Sequence, residues 1–371
     1  MNKRLHIVCF NVPYPADHGG MFDLFFKILA LHNAGIEIIL HCFEYGKGEQ
    51  PELNKYCVKV FYYKRITGLR GFSFSLPYII SSRISHQLIK NLKADHVPVL
   101  LEGTHTTYMV KKDFLPGRKI FLRMHNIEQV YYYHLFESEK NLLKKLYYWH
   151  ESRLLKKYED AILRKVSYLL PVSQKDATTI KGYHSFSTIQ YLPVFLPFQQ
   201  VNILTGKGDY CLYHGNLSIA ENNKAVEWLV NTIDTTQLPL IVAGRNPSAT
   251  LIRFLQSKKV RLVMNPTDDE MFHLVQNAHI NLILSFNETG IKIKLLNALF
   301  HGRHCICNEA AIPGSEFSDY CSIFSSPGEL NTLITDLKDQ PFTEQQAAER
   351  SSFLLQHFNS KTNAEKLSAL L

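Results

Sequence analysis

Short apolar segments alternate with longer amphipathic segments along most of the 371 residues of this chain. The short segments have the length of buried strands, and the longer ones repeat apolar residues at helical spacing, which is typical of parallel sheets with crossover helices. Strands are expected in the first half at 5–10, 36–43, 97–102, 119–124 and 168–172. The alternation starts again with strands expected at 210–214, 238–243 and 260–263. We therefore predict an α/β protein with two Rossmann-like domains.

The organisation of the first half depends on two further patterns. A long helix is expected over roughly 137–165, where apolar residues recur at helical spacing. The proline-bearing stretch 192–197 is the expected linker, because prolines stiffen a chain and prevent a helix from continuing. We accordingly place an N-terminal domain at 1–195 and a C-terminal domain at 196–358.

Composition and charge narrow the possible functions. The chain is 46% hydrophobic and 20% charged, and no apolar run reaches the ~20 residues of a membrane span. Seven cysteines without a CxxC pair suggest buried, reduced thiols in a cytoplasmic protein. The net charge of +8 is concentrated in residues 111–165, with 13 Lys and Arg against 7 Asp and Glu. This excess suits an anionic membrane, a phosphorylated substrate or a solvated helix face, whereas no nucleic-acid-binding motif is present.

The segment 282–308 carries the clearest chemical signal. An apolar strand runs into a polar glycine turn at 287–290, and an amphipathic helix follows. Such units place a helix N-terminus and free backbone N–H groups at the carboxyl edge of a parallel sheet, where nucleotide phosphates bind. Lys292 and Lys294 lie just inside this loop, although a solvated loop face is the alternative for both. We predict that a nucleotide-linked substrate binds here.

Other polar residues are expected at the carboxyl edges of the two sheets. Arg245 directly follows a predicted strand and a glycine, which suits either a phosphate-binding cation or a solvated loop arginine. Gly19 and Gly20 precede the first helix, where the lack of side chains lets a phosphate or an acceptor approach the backbone. Asp17 and His18 beside them are candidates for binding or deprotonating an acceptor hydroxyl, although Asp17 also suits a turn cap.

His125 directly follows a predicted strand and is therefore expected at the carboxyl edge of the first sheet. Histidine serves as a base near neutral pH, but a structural role is the alternative in a chain with 17 histidines. Glu102 also ends a strand and is expected to line an acceptor pocket or to cap the next helix. No spaced set of metal ligands is present. Hydrolase, kinase and dehydrogenase motifs are absent from the sequence as well.

Several motifs occur in a characteristic order and together span nearly the whole chain. They are YPADHGG at 14–20, RMHNIE at 123–128, YE at 158–159 before LLPVS at 169–173, YHGNL at 213–217, IVAG at 241–244, and the segment 282–308. In this order the chain resembles the GT-B glycosyltransferases, specifically the family-four-like group that uses nucleotide sugars.

The resemblance implies transfer of a sugar from a donor such as a UDP- or GDP-sugar to a glycan or lipid-linked glycan acceptor, in surface polysaccharide biosynthesis. It implies no cofactor, no bound metal, retention of configuration, a cleft between the domains, and a last helix at about 359–371 that packs on the N-terminal domain. The implied catalytic residues are His125 and Glu128. The implied acceptor or phosphate-loop residues are Asp17, His18, Gly19, Gly20 and Glu102. The implied donor-binding residues are Gly215, Asn216, Arg245, Glu288, Thr289, Gly290, Lys292, Lys294 and Asn297.

The chain departs from this family at two positions of the nucleotide-sugar motif. The family commonly has two glutamates eight residues apart, where this sequence has Thr289 and Asn297, with Glu288 next to the first. Asn297 can hydrogen-bond ribose hydroxyls but brings no charge. A catalytically lapsed GT-B protein that binds nucleotide sugars or glycans is therefore the alternative function. The expected location is the cytoplasm, and the segments 131–165 and 70–83 suit peripheral contact with the inner face of the membrane.

Overall fold

The computed structural model describes residues 3–16, 19–139, 141–183, 188–198 and 200–371, and the chain divides into two units. The first unit comprises Met1–Gln199, Thr289–Ile291 and Phe358–Leu371. The second comprises Gln200–Glu288 and Lys292–His357. Each unit contains one parallel sheet flanked by helices. The predicted α/β class with two Rossmann-like halves is therefore confirmed.

The first unit is built on a seven-stranded sheet. Its strands are β1 (Arg4–Cys9), β2 (Glu37–Glu44), β3 (Lys59–Lys64), β4 (Val99–Glu102), β5 (Ile120–Met124), β6 (Tyr168–Pro171) and β7 (Thr188–Ile189). Its helices are α1 (Gly19–Asn33), α2 (Tyr78–Ser81), α3 (His86–Leu92), α4 (Tyr108–Lys111), α5 (Glu128–Ser138), α6 (Leu142–Ile162) and α7 (Gln174–Tyr183). The order β3-β2-β1-β4-β5-β6-β7 puts the topological switch point between β1 and β4, where open α/β sheets bind ligands.

Both faces of this sheet are covered, which explains why its strands are almost continuously apolar. Val8 and Leu101 belong to the core on one face, and Ile7 and Leu100 belong to the core on the other. The register of β1 on β4 pairs Ile7 with Leu100 and Val8 with Leu101. The short, continuous apolar segments that predicted the strands therefore reflect burial of both faces of the sheet.

Two features of the first unit differ from the expectations. The helix expected over roughly 137–165 is α6, which begins later, at Leu142, because the Asn141 side chain accepts hydrogen bonds from the Leu143 and Lys144 amides and caps it. The stretch 192–197, expected to be a linker, lies within the first unit, and its Leu192 and Phe195 side chains are buried in the core. Its apolar side chains are therefore part of the core of the first unit.

The second unit is built on a six-stranded sheet. Its strands are β8 (Cys211–Asn216), β9 (Leu240–Arg245), β10 (Arg261–Met264), β11 (Ile280–Ile283), β12 (His304–Asn308) and β13 (Ser322–Phe324). Its helices are α8 (Ala220–Thr232), α9 (Ala249–Ser257), α10 (Asp268–Asn277), α11 (Ile293–His301), α12 (Pro327–Leu337) and α13 (Glu344–His357). The order β10-β9-β8-β11-β12-β13 places the switch point between β8 and β11.

The last helix, α14 (Ser360–Leu370), belongs to the first unit. Its Ala364 and Leu367 side chains are buried in the same core cluster as residues of β1 and α1. The Lys3 side chain donates to the carbonyl of Ser368 at 2.6 Å. Among the described residues, no helix is both long and apolar enough to cross a membrane.

Candidate active site

A buried network of charged side chains lies at the carboxyl edge of the first sheet. Asp23 and Lys27 come from α1, Glu102 ends β4, Arg123 lies in β5, and His125 follows β5 directly. The Lys27 ammonium lies 2.8 Å from the carboxylates of both Asp23 and Glu102. Arg123 contacts Asp23 at 2.8 Å, and His125 Nε2 lies 3.0 Å from Glu102 Oε2. Only His125, 13% exposed, keeps some accessibility, so it is the member of the network that a substrate can reach.

The charges in this network determine its protonation. Burial alone would raise the pKa of Asp23, but Arg123 and Lys27 outweigh it and hold that pKa far below its ordinary value. Burial is likewise outweighed at Glu102, whose pKa is lowered by Lys27 and His125. Both carboxylates are therefore ionised at neutral pH. His125 Nδ1 lies 3.8 Å from Asp23 as well, so both ring nitrogens face carboxylates.

This cluster also includes the one set of side chains, within the described part of the chain, that has the ligand types and spacing of a metal site. The possible ligand atoms of Asp23, Glu102 and His125 all lie within 4.8 Å of one another. The Lys27 ammonium, however, already contacts both carboxylates. An internal cation thus supplies the positive charge that these carboxylates need, and an ion-pair network explains the trio.

Glu128, predicted to be catalytic, begins α5 and is buried. Burial and the neighbouring Glu159 raise the pKa of Glu128 to about 8, so its carboxyl group is largely protonated at neutral pH. Glu159 accepts hydrogen bonds from the amides of Glu128 and Gln129 and from the Thr104 hydroxyl, at 3.0–3.2 Å. Glu159 therefore caps α5, and Glu128 is placed as a buried acid that can donate a hydrogen bond.

The glycine pair expected in a phosphate or acceptor loop forms the start of α1, two residues earlier than predicted from the sequence. A Cβ atom at Gly20 would lie 3.4 Å from the Phe10 ring, so the backbone passes close to the end of β1. Asp17 and His18 lie outside the described residues.

Three members of the network were missed from the sequence, namely Asp23, Lys27 and Arg123. A signal for each was present. Asp23 and Lys27 are polar residues spaced i, i+4 in an otherwise apolar helix, and Arg123 interrupts an apolar strand. Ionisable residues in apolar segments are almost never fully buried unless they are paired, so these positions pointed to partners elsewhere in the fold.

In the second unit, the half-buried Lys294 lies in the first turn of α11 with its ammonium group beside the switch point. Nζ contacts the Leu284 carbonyl at 2.9 Å, the Tyr213 hydroxyl at 3.2 Å and the Asn222 side-chain oxygen at 3.4 Å. Burial, opposed by the charge of Glu221, lowers the pKa of Lys294 to about 8. The lysine is therefore still mainly charged at pH 7 and is held in one position by its partners.

The end of β8 leads into a tight turn in which the Asn216 and Asn222 side chains make hydrogen bonds within the turn. A Cβ atom at Gly215 would lie 3.2 Å from the Asn222 amide, which in turn donates to the Asn216 carbonyl at 2.9 Å. The Asn216 side-chain oxygen accepts from the amide and the hydroxyl of Ser218 at 3.0 and 2.8 Å. The oxygen of Asn216, predicted to contact the donor, is thus used within the turn.

The remaining predicted donor residues occupy different environments. Arg245 ends β9 and pairs with Asp268 at 2.5 Å on the surface. Glu288 is exposed, and Lys292 and Asn297 are half-buried at the start and in the middle of α11. Thr289 and Gly290 are part of the first unit, and Gly290 has a left-handed φ of 69°. Lys294 is thus the predicted cation whose ammonium group is held by hydrogen bonds at the switch point of the second unit.

Sequence reasoning missed the polar residues that surround Lys294. Glu221, in the first turn of α8, accepts from the Ser285 hydroxyl at 2.9 Å and the Phe286 amide at 3.0 Å, just after β11. His214 in β8 is buried, and its Nε2 has no hydrogen-bond partner among the described residues. These residues come together through the order β9-β8-β11, which the spacing along the chain does not specify.

Known proteins resemble this chain in both of its units. Residues 208–322 match the family model described as glycosyl transferases group 1. An uncharacterised 44.6 kDa protein in the cps region of Klebsiella pneumoniae is 26% identical over 317 residues, 80% of each chain. The structure of WaaG, a glycosyltransferase involved in lipopolysaccharide biosynthesis, has a TM-score of 0.66 and 14% identity, over 98% of this chain and 99% of WaaG. Anabaena HepE in complex with UDP and glucose has a TM-score of 0.64 and 12% identity, over 100% and 99%.

The likeness to these solved structures extends over both units and shows that this chain has the same fold as WaaG and HepE. The family match covers the strands and helices around Lys294 in the second unit. Residues 208–322 thus match the glycosyl transferases group 1 model, and the chain is a glycosyltransferase with the GT-B fold.

Proposed function

We propose that this glycosyltransferase moves a sugar from a nucleotide-sugar donor, such as a UDP- or GDP-sugar, to a glycan or lipid-linked glycan acceptor. The proposed reaction uses no cofactor and no bound metal, retains the configuration of the sugar, and belongs to surface polysaccharide biosynthesis. Support for a nucleotide donor comes from HepE, a protein of similar fold in complex with UDP and glucose. Support for the pathway comes from the relative in a cps region and from WaaG, which is involved in lipopolysaccharide biosynthesis.

The position of Lys294 is the single observation that carries the proposal. A departing nucleoside diphosphate develops negative charge that a metal-free enzyme must stabilise with cations and backbone N–H groups. Lys294 is a cation in the first turn of α11, at the switch point of a group 1 domain. Its pKa of about 8 keeps it mainly protonated at pH 7, and binding of an anion would raise that pKa.

A nucleotide-sugar panel tests the proposal. Isothermal titration with UDP- and GDP-sugars should give binding, and Lys294→Gln should weaken it by about tenfold or more, as expected for loss of a charge-assisted hydrogen bond. Lys258→Gln, on an exposed lysine just after α9, is the matched control and should bind like the wild type. Absence of binding to every nucleotide sugar would refute the proposed donor. Binding without transfer or hydrolysis would support the lapsed, donor-binding alternative instead.

We also propose peripheral contact with an anionic membrane through α6. Leu142, Leu146 and Trp149 recur on one face of this helix and are exposed, with Leu142 82% and Leu146 62% accessible. Leu155 and Tyr158 on the opposite face are buried. An exposed apolar stripe on a lysine-rich helix is typical of helices that lie at a membrane interface.

A further inference from the structure

Residues 66–82, here called the apolar loop, connect β3 to α3 and include the short helix α2. Its ends meet where the Ile66 amide donates to the Ser82 carbonyl at 2.9 Å. The Gly68 amide donates to the Tyr78 hydroxyl at 2.9 Å, and a Cβ atom at Gly71 would overlap the Ile66 carbonyl oxygen. The loop therefore has a defined conformation fixed from within.

The outer part of the apolar loop exposes large hydrophobic side chains. Leu69 is 93% exposed and Phe74 is 82% exposed, and the Phe72 ring packs edge-on against Phe74 with centroids 5.0 Å apart. Soluble proteins rarely expose several large apolar side chains next to one another, and such clusters mark sites of contact with a partner or a lipid. The loop is thus shaped to present hydrocarbon surface outward.

Two arginines flank this loop and converge at its base. Arg65 Nε and Arg83 Nη1 both donate to the Ser82 hydroxyl, at 3.3 and 3.4 Å. Both guanidinium groups also lie over the Tyr45 ring, with Cζ atoms 4.4 and 5.9 Å from its centroid. Arg83 is buried, and its Nε donates to the Phe10 carbonyl at 2.9 Å. The apolar loop therefore has a pair of fixed positive charges at its base.

The charge of this arginine pair is not neutralised by the protein. Among the residues that the structure describes, neither guanidinium has a carboxylate within ion-pair distance. Burial and the charge of Arg65 lower the pKa of Arg83 to about 10. Glu128, an acidic group whose charge acts on Arg83, has a pKa of about 8 and is largely neutral at pH 7. Placing like charges together at a buried position is costly unless an anion offsets them.

The arginine pair is connected to the accessible histidine of the active-site network. The backbone carbonyl of Phe10 accepts a hydrogen bond from Arg83. The ring of the same residue lies edge-on to the His125 ring, with centroids 5.8 Å apart. The same ring stacks on His105, whose buried Nδ1 has no hydrogen-bond partner within the described residues. Phe10 is therefore the residue that contacts both Arg83 and His125.

We propose that Arg65 and Arg83 bind the phosphoryl group of a lipid-linked acceptor, and that the apolar loop contacts its hydrocarbon chain. The ligand class is a phosphate or diphosphate ester of a long-chain alcohol. Arginines suit phosphoryl groups because the guanidinium is a rigid, permanently charged hydrogen-bond donor. Nε and Nη1 of Arg83 already donate to the protein, so Nη2 of Arg83 and the Nη atoms of Arg65 are the donors for the phosphoryl oxygens. This inference rests on the proposed glycosyl transfer, and it specifies which end of the acceptor the first unit holds.

Titration of the full chain with geranyl diphosphate and with inorganic pyrophosphate tests the inference. The wild type should bind geranyl diphosphate more tightly than pyrophosphate. Arg65→Gln, on a half-exposed residue, should weaken binding of both probes by about tenfold or more. Arg70→Gln removes the same charge from an exposed position of the apolar loop and should leave both affinities within about twofold. Equal loss in the two variants would show only general electrostatic attraction and would overturn the site.

Variants of the apolar loop separate a lipid ester from free phosphate. Phe74→Ser should lower the affinity for geranyl diphosphate and leave that for pyrophosphate unchanged, while Leu204→Ser, an exposed apolar residue of the second unit, should change neither. If the wild type binds the two probes equally, the lipid-linked assignment is overturned. Titration of each variant with the nucleotide sugar distinguishes failure of this inference from failure of the proposed function, because donor affinity should be unaffected in all of them.

Discussion

The imidazole of His125 is hydrogen-bonded to the buried carboxylate of Glu102, with Nε2 and Oε2 3.0 Å apart. A carboxylate in this position orients the ring and stabilises its protonated form. We predict that Glu102→Gln lowers kcat by about tenfold or more, because the neutral amide no longer stabilises an imidazolium. The Kd for the donor should change little. Steady-state kinetics combined with donor titration measures both quantities.

The helix α5 offers a matched control for this pair. His134 and Glu137 form a histidine–glutamate contact of 3.5 Å on the surface. Glu137→Gln should leave kcat unchanged, since this pair lies in solvent. A Glu102→Gln enzyme with wild-type kcat would show that the contact between His125 and Glu102 serves only the fold.

Lys27 is expected to be the most sensitive residue of the buried network for stability. Lys27→Met would leave the Asp23 and Glu102 carboxylates buried without their shared cation, and removal of one partner from a buried ion pair typically costs about 3–5 kcal/mol. Lys165→Met removes a lysine from an exposed pair with Asp113 and should cost at most about 1 kcal/mol. Urea denaturation followed by circular dichroism compares the two. Similar losses of the free energy of unfolding in both variants would contradict the prediction.

The strands and crossover helices could be predicted because burial on two faces leaves a continuous apolar pattern in the sequence. The ion pairs could not. Asp23 and Arg123 are 100 residues apart, and they meet because β4 and β5 pair on the far side of β1 from β2. That strand order depends on the packing of the whole sheet, and no local spacing encodes it.

The stretch 192–197 shows why an interpretation from one residue type was incomplete. Its prolines suggested a linker, yet the carbonyls of Leu192 and Pro193 accept hydrogen bonds from Arg123, and the Phe195 amide donates to Asp23 at 2.8 Å. Backbone groups of an extended segment thus complete the hydrogen bonding of the buried Arg123 and Asp23 side chains. Prolines prevent this stretch from forming a helix, so its carbonyl oxygens are not used in helical hydrogen bonds and can accept from Arg123.

Two neighbouring histidines within the first sheet give the protein a predictable sensitivity to acid. His6 Nδ1 and His41 Nε2 are 2.8 Å apart, and His41 Nδ1 is 2.8 Å from the Tyr63 hydroxyl. Burial, together with the charge on His6, lowers the pKa of His41 to about 3. Burial also lowers the pKa of His6, although Asp95 opposes this. Both histidines are therefore neutral in the folded protein at pH 7.

Since the pKa of His41 is lower in the folded than in the unfolded chain, its contribution to stability is complete above pH 6.5 and is lost as the pH falls toward 3. Between pH 7 and pH 5 this histidine should account for about 2 kcal/mol of the decrease in the free energy of unfolding. Urea denaturation at the two pH values should show that decrease reduced in His41→Gln. His86→Gln, at an exposed position, should retain it in full. An identical pH dependence in His41→Gln and the wild type would remove His41 as its source.

The exposed face of α6 makes a prediction about membranes that is independent of the arginine pair. Leu142, Leu146 and Trp149 form its apolar stripe, and the Arg153 guanidinium stacks on the Trp149 ring at 5.0 Å. Apolar side chains beside cations bind anionic bilayers through both hydrophobic burial and charge attraction. Co-sedimentation should therefore show binding to vesicles that contain phosphatidylglycerol, and weaker binding to vesicles of phosphatidylcholine alone.

The double variant Leu146→Ser/Trp149→Ser tests whether the stripe is the contact. Loss of the two side chains should reduce vesicle binding by about tenfold or more, because each fully buried large apolar side chain contributes roughly 1.5–3 kcal/mol. Met264→Ser/Leu355→Ser removes two exposed apolar residues from the second unit and should bind vesicles as the wild type does. Donor affinity should be the same in all three proteins, since the stripe lies in the first unit and Lys294 in the second. Equal vesicle binding by the two double variants would exclude α6 as the membrane-contacting element.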